Sequence, residues 1–396
     1  MSRLGGTGAL AAGVLVGAWL VGSTALVVLG VGLALAALAA RAWRRVAAAG
    51  LGVERIPVGG APVEGETLRL EVEARGRRWL ASRLVWHERV GVLGEQAAVV
   101  GRRGRATLAL HDVPRGRYVL GPGRLTAADP LGLGRVEVAV EGSAAVTVRP
   151  RVPEFDTLFT DGGTWGEGGR RAVARRPSGL EPHGVREYAE GEPLRAVHWP
   201  TSARRGELMV RELDDTPRES VAVVLDVEAS SVAGPHGDSS LDDAVRAAAG
   251  LLRAHALRSR NVVLAIAAPE PVVHRLRSLG EDWELALDTL AAAEPVPGAP
   301  LRELVAPRGP LASIPEVVVV TARPEVVVDA LVARAAVGRS SAIVAVDAPT
   351  YAGRPLAAAS PTLLRLSGAR IGVAVVRHSC SLPEALGGIR ARAGVG

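Results

Sequence analysis

The feature that most constrains this fold is a stretch without any charged residue that runs from Leu4 to Ala40. As one helix, these 37 residues would measure about 55 Å, whereas the hydrocarbon core of a bilayer is about 30 Å thick. Two shorter helices, over about 7–21 and 24–40 with a turn near Gly22–Ser23, fit that thickness better. We therefore expect residues 1–45 to form a transmembrane hairpin.

The arginines that flank this stretch predict its orientation. Arg3 precedes the first helix, and Arg41, Arg44 and Arg45 follow the second. Because basic residues favour the cytoplasmic side, we expect a two-pass protein of the plasma membrane with cytoplasmic soluble domains. The alternative is a secretory signal peptide cleaved near 37–39, but the apolar stretch is too long and the charged segment before it too short for one.

The composition excludes several kinds of chemistry. All 47 basic residues are arginine, so no phosphate-loop or Schiff-base lysine exists, and the single Cys380 excludes internal disulfides and four-cysteine zinc sites. The eight histidines form no H-E-x-x-H pattern, and aromatic residues make up only 3% of the chain. We therefore expect no cofactor, no metal and no nucleic-acid partner, and identify no small-molecule substrate. The lack of lysine predicts a genome of high GC content.

Residues 50–152 have the pattern of a β-rich domain. Runs such as 67–73 and 106–110 alternate apolar and polar residues, and clusters of Gly and Pro separate them. Period-two alternation predicts strands with one buried face. We therefore expect a small antiparallel β-sandwich of immunoglobulin style, with Trp79 and Trp86 in its core or at its edge.

Residues 219–396 have the pattern of an α/β domain. Continuous apolar strands are expected at 220–226, 262–267, 316–321, 342–347 and 371–376, and helices at 239–258, 281–293, 324–336 and 382–393. Alternation of this kind predicts a mainly parallel sheet that is covered on both faces. Ligands of such folds lie beyond the carboxyl ends of the strands, where Asp226 is expected.

Between these domains lie an expected linker, 153–180, and a dense polar motif, 181–218. The motif residues that we single out are Gly184, Arg186, Glu187, Tyr188, Gly191, Arg195, His198, Trp199, Ser202, Arg204, Gly206, Arg211 and Glu212. Interleaved arginine and glutamate favour mutual ion pairs. Three interpretations are open: a structural clasp, a surface that docks a partner, and catalysis by His198, Ser202 or Tyr188, although no G-x-S-x-G elbow surrounds the serine.

This motif closely resembles the signature of the bacterial domain-of-unknown-function-58 family, with Glu192 where aspartate is usual. The segments Arg115–Tyr118 and Asp129–Leu133 are also similar to family sequence. The resemblance implies a membrane hairpin, a β-rich segment, the motif and a C-terminal domain similar to von Willebrand factor A. It also implies a partner, because such proteins are often encoded beside MoxR-type AAA+ ATPases.

The same resemblance implies where a metal site would lie. Von Willebrand A domains open their metal site with D-x-S-x-S, and this chain has Asp226-Val-Glu-Ala-Ser230, with Glu228 in place of the first serine. Arg323 falls in the loop where a later aspartate ligand is expected. We expect a degenerate site used as a protein surface, and metal binding remains the alternative.

The function expected from the sequence is that of a membrane-anchored scaffold or adaptor. Its partners would be the lipid bilayer and a protein, for which a MoxR-type AAA+ ATPase is the candidate. The alternatives are an envelope-facing adhesion-type protein with a divalent-metal site, and an uncatalogued hydrolase that uses His198 or Ser202. No competent catalytic constellation is evident, so we expect no enzyme activity.

Overall fold

The computed structural model describes residues 3–56, 60–76, 81–140, 144–160, 184–187, 197, 199–212, 220–258, 260–276, 279–354 and 360–387. The chain divides into two compact units, residues 1–150 and residues 151–396. Six residues named above lie outside the described part of the chain: Trp79, Tyr188, Gly191, Glu192, Arg195 and His198. Most of the expected linker, from residue 161 onward, also lies outside it.

The N-terminal unit begins with a pair of apolar helices, as the sequence predicted. Helix α1 spans Arg3–Val21 and helix α2 spans Thr24–Gly50. The turn lies at Gly22, whose φ of 64° favours glycine, and at Ser23, whose side chain accepts a hydrogen bond from the Leu26 N–H. By length and composition, only Thr24–Ala47 among the described helices is long and apolar enough to cross a membrane, and Gly6–Val21 is a shorter apolar helix.

Nine strands follow among the described residues of this unit, and they form three antiparallel sheets. The strands are β1 (Leu51–Ile56), β2 (Leu68–Gly76), β3 (Arg83–Arg89), β4 (Glu95–Val99), β5 (Arg105–Leu110), β6 (Gly116–Leu120), β7 (Gly123–Ala128), β8 (Arg135–Val140) and β9 (Ala144–Val148). Their orders are β1-β2-β5, β4-β3-β7-β8 and β6-β9. The predicted antiparallel character is confirmed. We call residues 51–150 the β domain.

One apolar core holds the three sheets together. Every second residue of β2, from Leu68 to Ala74, points into it, as the alternating pattern requires. Trp86 of β3 is buried in the same core. Ala47 of α2 is fully buried there as well, and Trp43 packs against the core. Helix α2 therefore continues from its apolar span into the β domain without a linker.

The two segments that resemble family sequence stabilise turns of the β domain. The Tyr118 hydroxyl donates to the Pro114 carbonyl oxygen over 2.8 Å, an arrangement similar to the tyrosine corner of immunoglobulin-like domains. The Asp129 carboxylate accepts hydrogen bonds from the Leu133 N–H at 3.0 Å and the Gly134 N–H at 2.6 Å. Both segments therefore have a structural explanation.

The C-terminal unit contains a two-stranded and a six-stranded sheet. Its strands are β10 (Gly184–Glu187), β11 (Met209–Glu212), β12 (Val221–Asp226), β13 (Val262–Ala267), β14 (Val272–Leu276), β15 (Glu316–Thr321), β16 (Ser340–Val346) and β17 (Gly372–Val376). The larger sheet has the order β14-β13-β12-β15-β16-β17, and all neighbours are parallel except β14, which pairs antiparallel with β13. The predicted mainly parallel sheet is thus confirmed.

Helices cover both faces of this sheet. Helix α3 (Trp199–Arg205) contacts β11 of the two-stranded sheet instead. The helices on the larger sheet are α4 (Ser240–Ala256), α5 (Glu281–Ala291), α6 (Leu301–Val305), α7 (Pro324–Ala336), α8 (Ala348–Tyr351), α9 (Pro361–Gly368) and α10 (Leu382–Leu386). One core contains side chains from α4, α5 and α10, and the other contains side chains from α6, α7 and α9. Strand β12 alternates between them, with Leu225 in the first and Val224 in the second. Burial on both faces explains its continuous apolar sequence.

Residues 152–159 pack on this α/β core, although the expected linker begins at residue 153. Leu158 is fully buried, and the ring of Phe155 lies against Gly250 of α4, where an added Cβ would come within 2.5 Å of it. Ser239 and Asp242 form a capping box at the start of α4, because each side chain accepts a hydrogen bond from the backbone N–H of the other residue. Ser381 also precedes a helix, α10, but its side chain makes no capping hydrogen bond.

Candidate functional site

The polar motif forms a small hairpin around a short helix. Strands β10 and β11 pair antiparallel, with Gly184 opposite Glu212 and Glu187 opposite Met209. This register brings the backbone of Arg186 beside that of Val210. The structure therefore gathers both ends of the motif, which lie more than twenty residues apart in the sequence, into one element.

Ser202 joins the helix of the motif to its second strand. Ser202 is buried, with only 7% of its surface exposed. Its Oγ accepts a hydrogen bond from the Met209 N–H at 2.8 Å and lies 3.4 Å from the Met209 carbonyl oxygen, to which it donates. Gly206, with a φ of 76°, ends the helix and donates its N–H to the Ser202 carbonyl oxygen. The serine hydroxyl is thus engaged by the backbone of the motif itself.

The same helix presents a large aromatic side chain to solvent. Trp199, its first residue, is 61% exposed, and Leu208 is 40% exposed. Val197 and Met209, on either side of the helix, are buried. Arg204 lies in the last turn of the helix, where a positive charge complements the helix dipole. Two apolar side chains of the motif are thus buried, whereas its tryptophan remains on the surface.

A second set of polar residues lies where the strand order of the six-stranded sheet reverses. The chain runs outward from β12 through β13 in one direction and from β15 through β16 in the other. Crevices at such points are the usual ligand sites of open α/β sheets. Asp226 ends β12, Thr321 ends the neighbouring β15, and Arg323 immediately precedes α7.

Asp226 is engaged by a guanidinium group in a two-point contact. Arg323 Nε donates to Asp226 Oδ2 at 3.1 Å, and its Nη2 donates to Oδ1 at 2.8 Å. The Thr321 hydroxyl donates to Oδ2 at 2.7 Å, and the Glu228 N–H donates to Oδ1 at 3.2 Å. The Asp226 side chain is only 1% exposed. Its negative charge is therefore balanced inside the protein by a fork of two N–H donors.

Glu228 is fixed by backbone N–H groups of the loop before α6. Its Oε2 accepts hydrogen bonds from Gly298 at 2.9 Å and Ala299 at 3.0 Å, and its Oε1 accepts one from the Ser230 hydroxyl at 3.3 Å. The hydrogen bond from Ala299 is the main reason that the pKa of Glu228 is lowered, and Arg323, at 3.7 Å, adds to the effect. Glu228 is therefore an anion at neutral pH.

The guanidinium of Arg323 remains protonated in this site. Burial by itself would lower the pKa of the guanidinium, but its contacts with Asp226 and Glu228 outweigh burial and raise that pKa above its ordinary value. The oxygens that could bind a divalent cation here belong to Asp226, Glu228, Ser230 and Thr321. Both Asp226 oxygens face the guanidinium instead. In the described part of the chain, no three His, Cys, Asp or Glu side chains are grouped as a metal site.

The sequence reasoning missed a third polar cluster, beyond β16 and β17. The Tyr351 hydroxyl donates to Asp243 at 2.5 Å, and Arg246 contacts the other oxygen of Asp243 at 2.7 Å. His378 lies 3.0 Å from Asp238. Burial, followed by the hydrogen bond to Asp243, raises the pKa of Tyr351. The strand-end rule that located Asp226 would also have pointed to this cluster, because Tyr351 and His378 follow β16 and β17.

Comparison with protein families supports the resemblance found in the sequence. Residues 184–288 match the family model described as "Protein of unknown function DUF58". The match begins with β10, includes the motif and the Asp226 strand, and ends within α5. No curated protein sequence matches the chain.

Two solved structures are each similar to about a quarter of the chain. The PKD domain of the human VPS10 domain-containing receptor SorCS2 is 16% identical, with 26% of this chain and 76% of that chain covered and a TM-score of 0.18. The endo-beta-1,4-mannanase of Thermotoga petrophila is 14% identical, with 26% and 20% covered and a TM-score of 0.16. TM-scores this low carry no argument about fold or function.

Proposed function

We propose that this chain is a membrane-anchored scaffold or adaptor of the domain-of-unknown-function-58 family. Its hairpin holds it in the plasma membrane, and its soluble domains lie in the cytoplasm and dock a protein partner. The C-terminal α/β domain is of the von Willebrand A type, and the partner is a MoxR-type AAA+ ATPase. The match to residues 184–288 supports the family assignment.

The observation that carries this proposal is the exposure of Trp199 within the family motif. Large apolar side chains of a motif normally serve its core, yet this tryptophan is 61% exposed while Met209 and Val197 are buried. Tryptophan is strongly enriched among the residues that dominate binding energy at protein interfaces. The exposed Leu208 adds a second apolar group within the motif. A docking role therefore explains Trp199 better than a purely structural one.

The contacts of Ser202 favour docking over catalysis. A nucleophilic serine needs an accessible hydroxyl that is hydrogen-bonded to a general base. The Ser202 hydroxyl instead binds both backbone polar groups of Met209 and is buried. We therefore propose that the motif has no hydrolase activity.

The contacts of Arg323 favour a protein surface over a metal site at the strand ends. A divalent cation requires several oxygen ligands, and the guanidinium already binds both oxygens of Asp226. Its positive charge also repels a cation at that position. These contacts argue against the adhesion-type alternative, in which Asp226, Glu228 and Ser230 would hold a metal.

The arginines around the hairpin support the proposed orientation. Residues 41–150 contain 18 arginines against 11 acidic residues, so the surplus charge of the chain lies next to the second membrane helix. Arg41, Arg44 and Arg45 are exposed on α2, just beyond its apolar part. Such an arrangement favours the cytoplasmic side, where anionic lipid adds an attraction.

A binding titration tests the docking role. The full chain in detergent is immobilised, and the purified MoxR-type ATPase from the same genome is titrated onto it with ATP present. We expect saturable binding that Trp199→Ala weakens at least about tenfold, as for a tryptophan at the centre of an interface.

The matched control is Leu364→Ala, because Leu364 of α9 is 63% exposed but lies outside the motif. This variant should bind like the wild type. Equal affinity of wild type and Trp199→Ala would refute the docking role of the motif. Absence of any binding would refute the ATPase as the partner.

A further inference from the structure

One end of the β domain lies next to the point where the membrane helix enters it. Strand β2 ends at Gly76, directly opposite Leu51, the first residue after α2. The two backbones approach so closely there that a Cβ on Gly76 would lie 1.8 Å from the Gly50 carbonyl oxygen. We call this the helix-proximal end of the β domain.

The turn between β4 and β5 belongs to the same end. The Ala74 N–H donates to the Gly104 carbonyl oxygen at 2.7 Å, and Arg105 lies opposite Glu73 in the β2–β5 pair. The turn is closed by a hydrogen bond of 2.8 Å from Gly104 N–H to the Gly101 carbonyl oxygen. Its tip, residues 102 and 103, therefore projects from the end of the sheet that adjoins α2.

This turn carries a concentrated positive charge. Arg102, Arg103 and Arg105 are all exposed, and together with Glu73 they line an open depression of about 580 Å³. At the opposite end of the same sheet, acidic and basic residues are mixed: Glu64, Glu66 and Asp112 lie near the Gly65–Val113 hydrogen bond, and so do Arg115 and Arg149. Three exposed arginines are thus grouped at the end that adjoins α2.

The distance to the membrane surface is short. Leu51 lies six residues beyond Arg45, so the helix separates the two by about 9 Å. This is close to the Debye length of about 8 Å at physiological ionic strength. The long side chains of the arginines on the turn extend the range over which their charges can contact the membrane surface. Charges at the helix-proximal end therefore act on lipid headgroups at a range where salt screens them only partly.

We infer that Arg102, Arg103 and Arg105 form a second membrane contact, which binds anionic phospholipid headgroups and holds the β domain against the bilayer. The inference rests on the membrane anchor of the proposed function and is independent of the docking role of Trp199. An arginine near an anionic surface adds about a fivefold preference for the membrane. Three on one turn favour a fixed orientation of the domain over a freely pivoting one.

Arginine footprinting of the full chain tests this contact. The protein is inserted into lipid nanodiscs of phosphatidylcholine, with or without phosphatidylglycerol, and treated with phenylglyoxal, which modifies exposed arginines. Peptide mass spectrometry then gives the rate at each site. We expect Arg102 and Arg103 to react at least about threefold more slowly when phosphatidylglycerol is present, and the protection to vanish in about 1 M salt, where the Debye length is about 3 Å.

Two variants sharpen the experiment. Arg105→Gln removes one charge of the patch while Arg102 and Arg103 remain as reporters, and it should reduce their protection. Arg69→Gln is the matched control, because Arg69 is exposed on the neighbouring strand β2, near the end away from the patch, opposite Ala109 of β5. This control should leave the protection unchanged.

Each outcome decides between the inference and the anchor. Equal rates at Arg102 and Arg103 in both lipids, with Arg41, Arg44 and Arg45 protected by anionic lipid, would overturn the inference and leave the anchor standing. Failure of the chain to enter discs of either composition would overturn both. If Arg69→Gln also removed the protection of Arg102 and Arg103, the protection would not come from this patch, and the inference would be overturned.

Discussion

At the scale of single residues, the pairing of Asp226 with Arg323 determines the chemistry of the strand-end site. The carboxylate is almost inaccessible to solvent, and four hydrogen bonds from the protein satisfy it, two of them from the guanidinium. A carboxylate left in such a place without its cationic partner is costly. The arginine thus supplies the positive charge that the buried aspartate requires.

Removal of this guanidinium should destabilise the C-terminal unit. We expect Arg323→Ala to lower the free energy of unfolding by about 2–3 kcal/mol, because Asp226 loses two charge-assisted hydrogen bonds and keeps only those from Thr321 and Glu228. Denaturant titration of the full chain in detergent measures the change. The control is Arg365→Ala, which breaks a pair with Asp329 whose side chains are 58% and 62% exposed and should cost at most about 1 kcal/mol. Equal losses in the two variants would contradict the account.

The lowered pKa of Glu228 predicts a pH dependence of defined sign. A carboxylate whose pKa is lower in the folded state stabilises the fold above its ordinary pKa of 4.5, and this contribution is lost as the pH falls through the folded-state pKa. We expect Glu228→Gln to lower the Tm at neutral pH, with the difference from wild type shrinking below pH 4.5. Thermal scans across this range provide the measurement. A difference that grows toward acidic pH would exclude the assigned cause.

The sequence located this site but not its contacts. The strand-end rule placed Asp226 correctly, because its strand is a continuous apolar run that ends in the aspartate. The pattern also put Arg323 in the neighbouring loop. Whether its side chain turns inward depends on the backbone between Thr321 and Pro324, where the Arg323 N–H donates to the Thr321 hydroxyl at 2.8 Å. No periodicity encodes such a local turn.

At the scale of elements, the motif is a hairpin and helix joined through one hydroxyl. We expect Ser202→Ala to speed hydrogen exchange at the Met209 amide at least about fivefold, because its buried N–H loses its acceptor at a cost of about 1 kcal/mol or more. Ser202→Thr keeps a hydroxyl and should largely restore protection. The hydrolase alternative predicts a different result. Ser202→Thr and Ser202→Ala would then abolish hydrolase activity equally, and the Met209 amide would stay protected from exchange in both variants. That result would return catalysis to consideration.

Elements with a clear period were predictable, and those fixed by tertiary contacts were not. Strands β13 and β15 match their predicted bounds, since burial on both faces makes β13 entirely apolar and leaves polar residues only at the two ends of β15. Strand β14 was missed, because it is an antiparallel edge strand with mixed polarity and two partly exposed valines. The short helices α6, α8 and α9 lack enough turns to show a helical period.

The structure also places an irregular segment in the α/β core. Residues 152–159 have neither helical nor strand periodicity. Their position depends on Gly250, because only glycine at this place in α4 leaves room for the ring of Phe155. Sequence reasoning took this segment for the start of a linker. The contact that holds it is visible only when the helix face of α4 is known.

At the scale of the molecule, the N-terminal unit joins a pair of apolar helices to a folded domain, because the second helix continues into that domain. Ala47 of α2 is buried in the core of the β domain, only a few residues beyond the arginines that flank the apolar span. The junction is therefore a packed helix rather than a flexible tether. The sequence predicted the hairpin and its turn from charge and length, but it did not predict that α2 would reach Gly50.

The most direct test of the central claim is site-specific photo-crosslinking in living cells. A photoreactive phenylalanine derivative is placed at Trp199 or, as a control, at Leu364, which is equally exposed outside the motif. We predict that irradiation crosslinks position 199, but not position 364, to a single protein that mass spectrometry identifies as the MoxR-type ATPase. No adduct at position 199, or the same adducts at both positions, would contradict a docking role for the motif.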